Sequence, residues 1–188
     1  MASLRYSLSD HPRIGFSLLP LGYEKSRGLR YENVNFDSNF DWFDCQLWID
    51  AFDKKIEHPK KGSMYHTEFP GFISWLRELP RKGAASFQTV EPFFRIDVEI
   101  RRREDLFNVN LLLSAYGISR NYLYIDSGVA VKFPAAEGQF MSFADQLENE
   151  LRNLQAKYSK QLELWNLYKE AEEGKWESKR KSNRVEKS

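Results

Sequence analysis

The clearest pattern in the chain is a period of two residues over 40–52, FDWFDCQLWIDAF. A period of two residues is typical of a β-strand with one face in the core. We therefore predict a long strand here. Its apolar set is Phe43, Cys45, Leu47, Ile49 and Ala51, and its opposite set is Trp42, Asp44, Gln46, Trp48 and Asp50.

A second alternating run, FFRIDVEIRRR, covers 93–103 and is followed by LFNVNLLLSAYG at 106–117. Two alternating runs joined by a short polar turn favour an antiparallel hairpin. The charged side of the first run has the order plus, minus, minus, plus. We interpret it as a solvated face with cross-strand ion pairs, and the alternative is a binding site. That side consists of Arg95, Asp97, Glu99 and Arg101.

Shorter runs complete the expected sheet. We predict strands at 13–19, 62–69 and 85–91, and one or two more within 121–134. Between them, PGFISWLRELP at 70–80 has apolar residues at helical spacing between two prolines, which predicts a short crossover helix. Consecutive strands without intervening helices favour an antiparallel meander.

Near the C-terminus the period becomes helical. A heptad-like stripe predicts a helix over 141–170, which would be about 45 Å long, more than the diameter of a small domain. Such a helix either breaks or leaves the body of the protein. Its stripe offers a surface for association, including a homodimer, through Leu154, Tyr158, Trp165 and Tyr168.

These patterns predict an α+β protein. We expect a mainly antiparallel sheet of about five to seven strands, a short crossover helix and a long C-terminal helix. The predicted divisions are an N-terminal strand and irregular segment at 1–37, a core domain at 38–158, and a helical extension with a basic tail at 159–188.

The charge balance limits the classes of partner. The 28 basic and 27 acidic residues give a net charge of +1, so no global field attracts nucleic acid or an anionic membrane. Local basic runs lie at 101–103 and 178–184, and we interpret the second as a solvated tail. Nucleic-acid and membrane binding are therefore not expected. One cysteine and the lack of a long apolar N-terminal run predict a cytoplasmic protein.

Motifs for catalysis or metal binding are missing from the sequence. The candidate soft ligands are Cys45, His11, His58 and His66, and they show no paired spacing. Neither a Gly-flanked nucleophilic serine nor a Gly-rich phosphate loop is present. We expect no cofactor, no metal and no enzymatic activity. An enzyme whose site is assembled from distant strands is the alternative.

Large aromatic residues stand beside acids on the polar side of the 40–52 strand. Asp44 and Asp50 lie about 20 Å apart by strand rise, so they cannot act together on one substrate atom. Trp42 and Trp48 on the same side indicate either a covering helix or a partner surface. We propose as the partner surface Trp42, Asp44, Gln46, Trp48 and Asp50.

The order of these elements resembles the WapI-type immunity proteins. The resemblance is carried over about 38–155 by FDWFDCQLWIDA, GFISWLREL, ASFQ, FFRIDVEIR, LFNVNLLLSAYG and FADQLENEL. The first 35 residues and the extension after 155 lie outside it. The resemblance implies a cytoplasmic protein encoded beside a bacterial toxin, which it neutralises by binding a toxin domain without chemistry. The alternative is a structural or adaptor subunit that assembles through the long helix.

Overall fold

The computed structural model describes residues 1–6, 14–31, 34–51, 54–57, 62–90, 94–101, 106–114 and 128–185. The described strands are β1 (Ala2–Tyr6), β2 (Ile14–Tyr31), β3 (Val34–Ala51), β4 (Lys54–Glu57), β5 (Gly62–Tyr65), β6 (Ala84–Gln88), β7 (Phe94–Arg101), β8 (Leu106–Ser114) and β9 (Gly128–Ala136). The described helices are α1 (Glu68–Lys82), α2 (Glu137–Lys157) and α3 (Ser159–Val185).

The strands form two antiparallel sheets, each followed in the chain by a helix. The first sheet has the order β1-β2-β3-β4, with β5 also paired to β3, and α1 follows it. The second has the order β6-β7-β8-β9, and α2 follows it. The α+β class and the antiparallel pairing are confirmed, with nine described strands in two sheets instead of about five to seven in one.

The predicted hairpin is confirmed as the pairing of β7 with β8, in which Ile96 lies opposite Leu111 and Val98 opposite Val109. The turn at 102–105 lies outside the described residues. Residues 121–127 of the strand region predicted at 121–134 also lie outside the described residues, and β9 begins at Gly128.

One core joins the two sheets through the two inner helices. Phe72 of α1 contacts Phe94 of the second sheet, with ring centroids 5.5 Å apart. It also contacts Phe143 of α2 at 6.1 Å, and Phe143 contacts Phe16 of the first sheet at 5.1 Å. All four rings are buried. This chain of aromatic contacts connects both sheets and both helices in one apolar interior.

The crossover helix extends past both prolines that were expected to bound it. Pro70 lies in the first turn of α1, where a backbone N–H has no intrahelical acceptor, so its missing donor costs little. Pro80 lies in the last turn, and Gly83 ends the helix with a positive φ of 75°. The Gly83 amide donates to the Leu79 carbonyl at 3.3 Å. The helix therefore covers 68–82 instead of 70–80.

The long C-terminal helix is divided at Tyr158. α2 ends at Lys157 and α3 begins at Ser159. The Tyr158 amide donates to the carbonyls of both Leu154 and Gln155 at 3.2 Å, which is a local departure from the regular pattern. The helical backbone continues to Val185, so it includes the residues that were interpreted as a basic tail.

The N-terminal segment supplies two strands of the first sheet. β1 pairs with β2, and β2 pairs with β3 along most of its length. The side chains of Leu4, Phe16 and Leu18 are buried in the common core. Segment 1–37 thus packs together with 38–158, and the residues at which folding units divide stay a prediction.

Candidate functional site

β3 presents one face to the core and the other to the outside of the first sheet. The expected inner side chains Phe43, Cys45, Leu47 and Ile49 are buried, with at most 1% of each exposed. The predicted alternation is therefore confirmed over this stretch. The other side chains form what we call the β3 outer face: Trp42, Asp44, Gln46, Trp48 and Asp50.

At one end of the β3 outer face, Asp50 is held by Arg5 from two strands away. Arg5 lies opposite Gly15 in β1–β2, and Gly15 lies opposite Asp50 in β2–β3. Arg5 Nε lies 2.7 Å from Asp50 Oδ2, and the Arg5 guanidinium also donates to Ser17 Oγ at 3.0 Å. The guanidinium thus reaches across β2, at the level of Gly15, to the carboxylate.

The two tryptophans of the β3 outer face are half-buried and contact neighbouring strands. The Trp42 ring packs edge-on against Tyr65 of β5, with centroids 5.2 Å apart. The Lys55 ammonium of β4 lies 4.5 Å from the centroid of the Trp48 ring, within the range of a cation–π contact. Both rings are thereby held in place with part of their surface still accessible.

Between the tryptophans lie Asp44 and Gln46, which differ in their environments. Gln46 is 6% exposed. Asp44 is half-buried, and the described part of the structure gives it neither a hydrogen bond nor an ion pair. A carboxylate that is partly removed from water without a protein donor favours a partner that brings one.

The covering helix, one of the two explanations for aromatics beside acids, is not found among the described residues. The helices contact the inner side of the first sheet. Phe69 of α1 packs on Phe43 at 5.5 Å, and Trp165 of α3 packs on Phe40 at 5.7 Å. These ring contacts of α1 and α3 with β3 thus lie on the inner side of the sheet, and the β3 outer face as a partner surface stays a prediction.

A known protein family matches most of the chain. The model of the immunity protein WapI-like family matches residues 7–155. The chain belongs to this family. The WapI-like match ends at residue 155, as the resemblance predicted, and begins at residue 7 instead of about 38. It therefore includes β2, which pairs with β3 beneath the β3 outer face.

No curated protein matches the chain. Among solved structures, the chain is similar to the plant transcriptional regulator PBF-2, with 14% identity, a TM-score of 0.40 and coverage of 85% of this chain and 86% of that one. WHY3 from Arabidopsis thaliana is also similar, with 13% identity, a TM-score of 0.41 and coverage of 87% of this chain and 97% of that one. WHY1 from Arabidopsis thaliana has 16% identity, a TM-score of 0.40 and coverage of 87% of this chain and 94% of that one. The assignment to the WapI-like family rests on the family match.

α3 begins beyond the WapI-like match and is anchored on β3 by Asp41. Trp165 Nε1 donates to Asp41 Oδ1 at 3.3 Å, and Lys169 Nζ donates to Asp41 Oδ2 at 2.7 Å. The hydrogen bond to Asp41 raises the pKa of Lys169. Asp41 lies where pairing with β2 skips residues 40–42, so the simple alternation of the sequence did not identify it as an anchor.

The residues predicted for association through the helix take part in packing within the chain. Leu154 and Trp165 are buried. The Tyr158 ring packs edge-on against Tyr23 at 5.2 Å, and Tyr168 contacts Trp165 at 5.4 Å. Association through these four side chains, including a homodimer, stays a prediction.

The part of the chain that the structure describes contains no group of three or more potential ligands that could hold a metal ion. It also contains no helix long and apolar enough to cross a membrane. His66 lies beside Asp41, with Nδ1 3.8 Å from Oδ1. His11 and His58 lie outside the described residues.

Cys45 is buried in the core, so we expect its thiol to react slowly in the native protein. Burial raises the pKa of the thiol well above its ordinary value, and the charge of Asp44 adds to the effect. We expect the native protein to react with 5,5′-dithiobis(2-nitrobenzoic acid) at least about a thousandfold more slowly than the unfolded chain, because reaction requires opening of the core. Absorbance at neutral pH with and without denaturant measures this ratio. Rapid reaction of the native protein would contradict the burial.

Proposed function

We propose that this chain is an immunity protein that neutralises a bacterial toxin domain in the cytoplasm by binding it without chemistry. Membership of the WapI-like family supports this proposal. The observation that carries the binding site is Asp44, a half-buried carboxylate without a described partner, on the same strand face as two partly accessible tryptophans. Tryptophan is enriched among the residues that carry most of the binding energy of protein interfaces.

The chemistry of the β3 outer face fits a basic partner. A toxin that acts on nucleic acid needs a positively charged cleft for phosphates. A lysine or arginine of that cleft would pair with Asp44, while Trp42 and Trp48 supply apolar and cation–π contact. Neutralisation then follows from occlusion of the cleft. Attraction between the charges would speed association at low ionic strength and less at high ionic strength.

Asp44→Lys tests this proposal with the toxin domain encoded beside the gene. We expect affinity, measured by isothermal titration calorimetry, to fall about a hundredfold or more, because the change leaves a partner cation facing another cation. Asp50→Lys is a poorer test, since it also breaks the ion pair with Arg5.

The matched control is Glu163→Lys on α3, an exposed acid outside the family match. Its affinity should stay within about twofold of the parent, as expected for a charge outside the interface. Unchanged affinity of Asp44→Lys, with native stability retained, would remove the β3 outer face from the proposal. A loss in Glu163→Lys alone would place the toxin on α3.

The second candidate, an adaptor that assembles through the C-terminal helix, is favoured by one observation. Leu167 of α3 is 52% exposed, and Leu164 and Tyr168 beside it are only partly buried. Size measurement by light scattering distinguishes the two functions. An oligomer that becomes monomeric on deletion of 159–188 supports the adaptor, and a monomer in both forms supports the immunity protein.

A further inference from the structure

The outer side of the second sheet contains a polar groove of ≈ 700 Å³. Its side chains come from opposite positions on adjacent strands. Asp97 of β7 lies opposite Asn110 of β8, and Glu99 lies opposite Asn108. We call this the second-sheet groove, and its polar lining is Ser86, Arg95, Asp97, Glu99, Asn108, Asn110 and Lys132.

Donors already present in the groove satisfy one oxygen of Asp97. Arg95 Nε and Ser86 Oγ both donate to Asp97 Oδ1, at 2.9 Å and 2.6 Å. The sequence predicted cross-strand ion pairs on this face, but this ion pair lies along β7 between residues 95 and 97, and Ser86 adds a hydrogen bond from β6. The second oxygen of Asp97 receives no hydrogen bond from the described residues.

Two further acceptors of the groove have no donor in the described part of the chain. Asn110 Oδ1 is buried without a hydrogen-bond partner. The Glu99 side chain is exposed, and the described residues give it no ion pair. A buried acceptor without a donor is unfavourable, and a ligand that donates a hydrogen bond there would remove that cost.

The arrangement of these acceptors suits a planar donor with several N–H groups. Asp97 and Asn110 are direct neighbours across two strands, so their Cβ atoms lie about 4.5–5.5 Å apart. Glu99 follows Asp97 on the same face, about 7 Å along the strand. A guanidinium presents five donors in a rigid fork and can address two such acceptors at once, whereas an ammonium acts as a point charge.

We propose that the second-sheet groove binds an arginine side chain presented by a protein partner, with Asp97, Glu99 and Asn110 as its acceptors. Arg95 remains paired with Asp97, and Lys132 of the edge strand β9, which lies opposite Asn110, opposes a cation. Phosphate is disfavoured because two carboxylates occupy the middle of the face. The site lies on the other sheet from the β3 outer face and does not depend on the proposed function.

Titration of the full chain with N-acetyl-arginine amide tests the groove, followed in 15N-resolved NMR spectra at constant ionic strength. We expect saturable shifts of the Asn110 side-chain amide and of the backbone amides of Asp97 and Glu99. N-acetyl-lysine amide should bind several-fold more weakly, because it lacks the forked donors.

Two substitutions that change the charge of the second-sheet groove in opposite directions make the test specific. Glu99→Gln should weaken binding about two- to fivefold, and Lys132→Gln should strengthen it by a similar factor. Glu163→Gln on α3 is the matched control and should leave the affinity unchanged. Thermal unfolding confirms that each variant is folded.

The proposal is overturned if the shifts do not saturate, or if Glu99→Gln binds as well as the parent. It is also overturned if Lys132→Gln weakens binding and inorganic phosphate produces the same shifts, since the groove would then be an anion site.

Discussion

Phe72→Ala is expected to lower the free energy of unfolding by about 3–5 kcal/mol, the range for deleting a buried aromatic ring. The ring is fully buried and contacts aromatic side chains from α1, β6, β7 and α2. No single element can collapse into the space it would leave. Such a loss is a large share of the stability of a typical domain. Urea unfolding followed by tryptophan fluorescence measures it.

The control for Phe72→Ala is Leu167→Ala, which removes an apolar side chain that is 52% exposed. We expect a change within about 0.5 kcal/mol, as for most surface substitutions. Equal effects of the two substitutions would show that the core does not centre on Phe72.

Gly15→Ala is also expected to lower the free energy of unfolding strongly, for a steric reason. A Cβ at Gly15 would overlap the Leu4 carbonyl oxygen and lie 2.7 Å from Arg5 Cα, both in the backbone of β1. Backbone atoms cannot rotate away, so β1 and β2 would have to separate. We expect destabilisation of about 2 kcal/mol or more, in the upper range for point substitutions. The separation would also disturb the Arg5–Asp50 ion pair at the end of the β3 outer face.

The matched control is Gly71→Ala in α1, where a Cβ would meet nothing within 4 Å. Alanine loses less backbone entropy than glycine in a helix, so we expect stabilisation by about 0.5–1 kcal/mol. The same chemical change should thus have opposite signs at the two positions in chemical denaturation. Stabilisation by Gly15→Ala would contradict the close approach of β1 and β2.

The interior of β3 shows why part of the fold could be predicted. Phe43, Cys45 and Leu47 alternate with polar neighbours, and a strand has only two faces, so the pattern alone determines which side is buried. The same reasoning gave the β7–β8 hairpin. Local periodicity also gave α1, whose ends differed because a proline in the first turn does not stop a helix.

The division into two sheets could not be predicted, since alternation identifies strands but not their partners. β1 and the far half of β2 were assigned to irregular segments, and the far half of β2 contains Pro20, Gly22 and Gly28. Pairing with β3 gives these strands their hydrogen bonds. Long-range pairing thus overrides weak local propensity.

By itself, the sequence determined which residues form the inner side of β3, the hairpin and the amphipathic helices, because each depends on periodicity within one segment. Only the tertiary structure decided that Asp50 is bound by Arg5 while Asp44 has no described partner, and that Phe40 turns inward where pairing with β2 skips residues 40–42. It also decided that Trp165 packs inside the chain and that Asn110 lies beside Asp97. These arrangements depend on contacts between residues far apart in the chain, which local patterns do not encode.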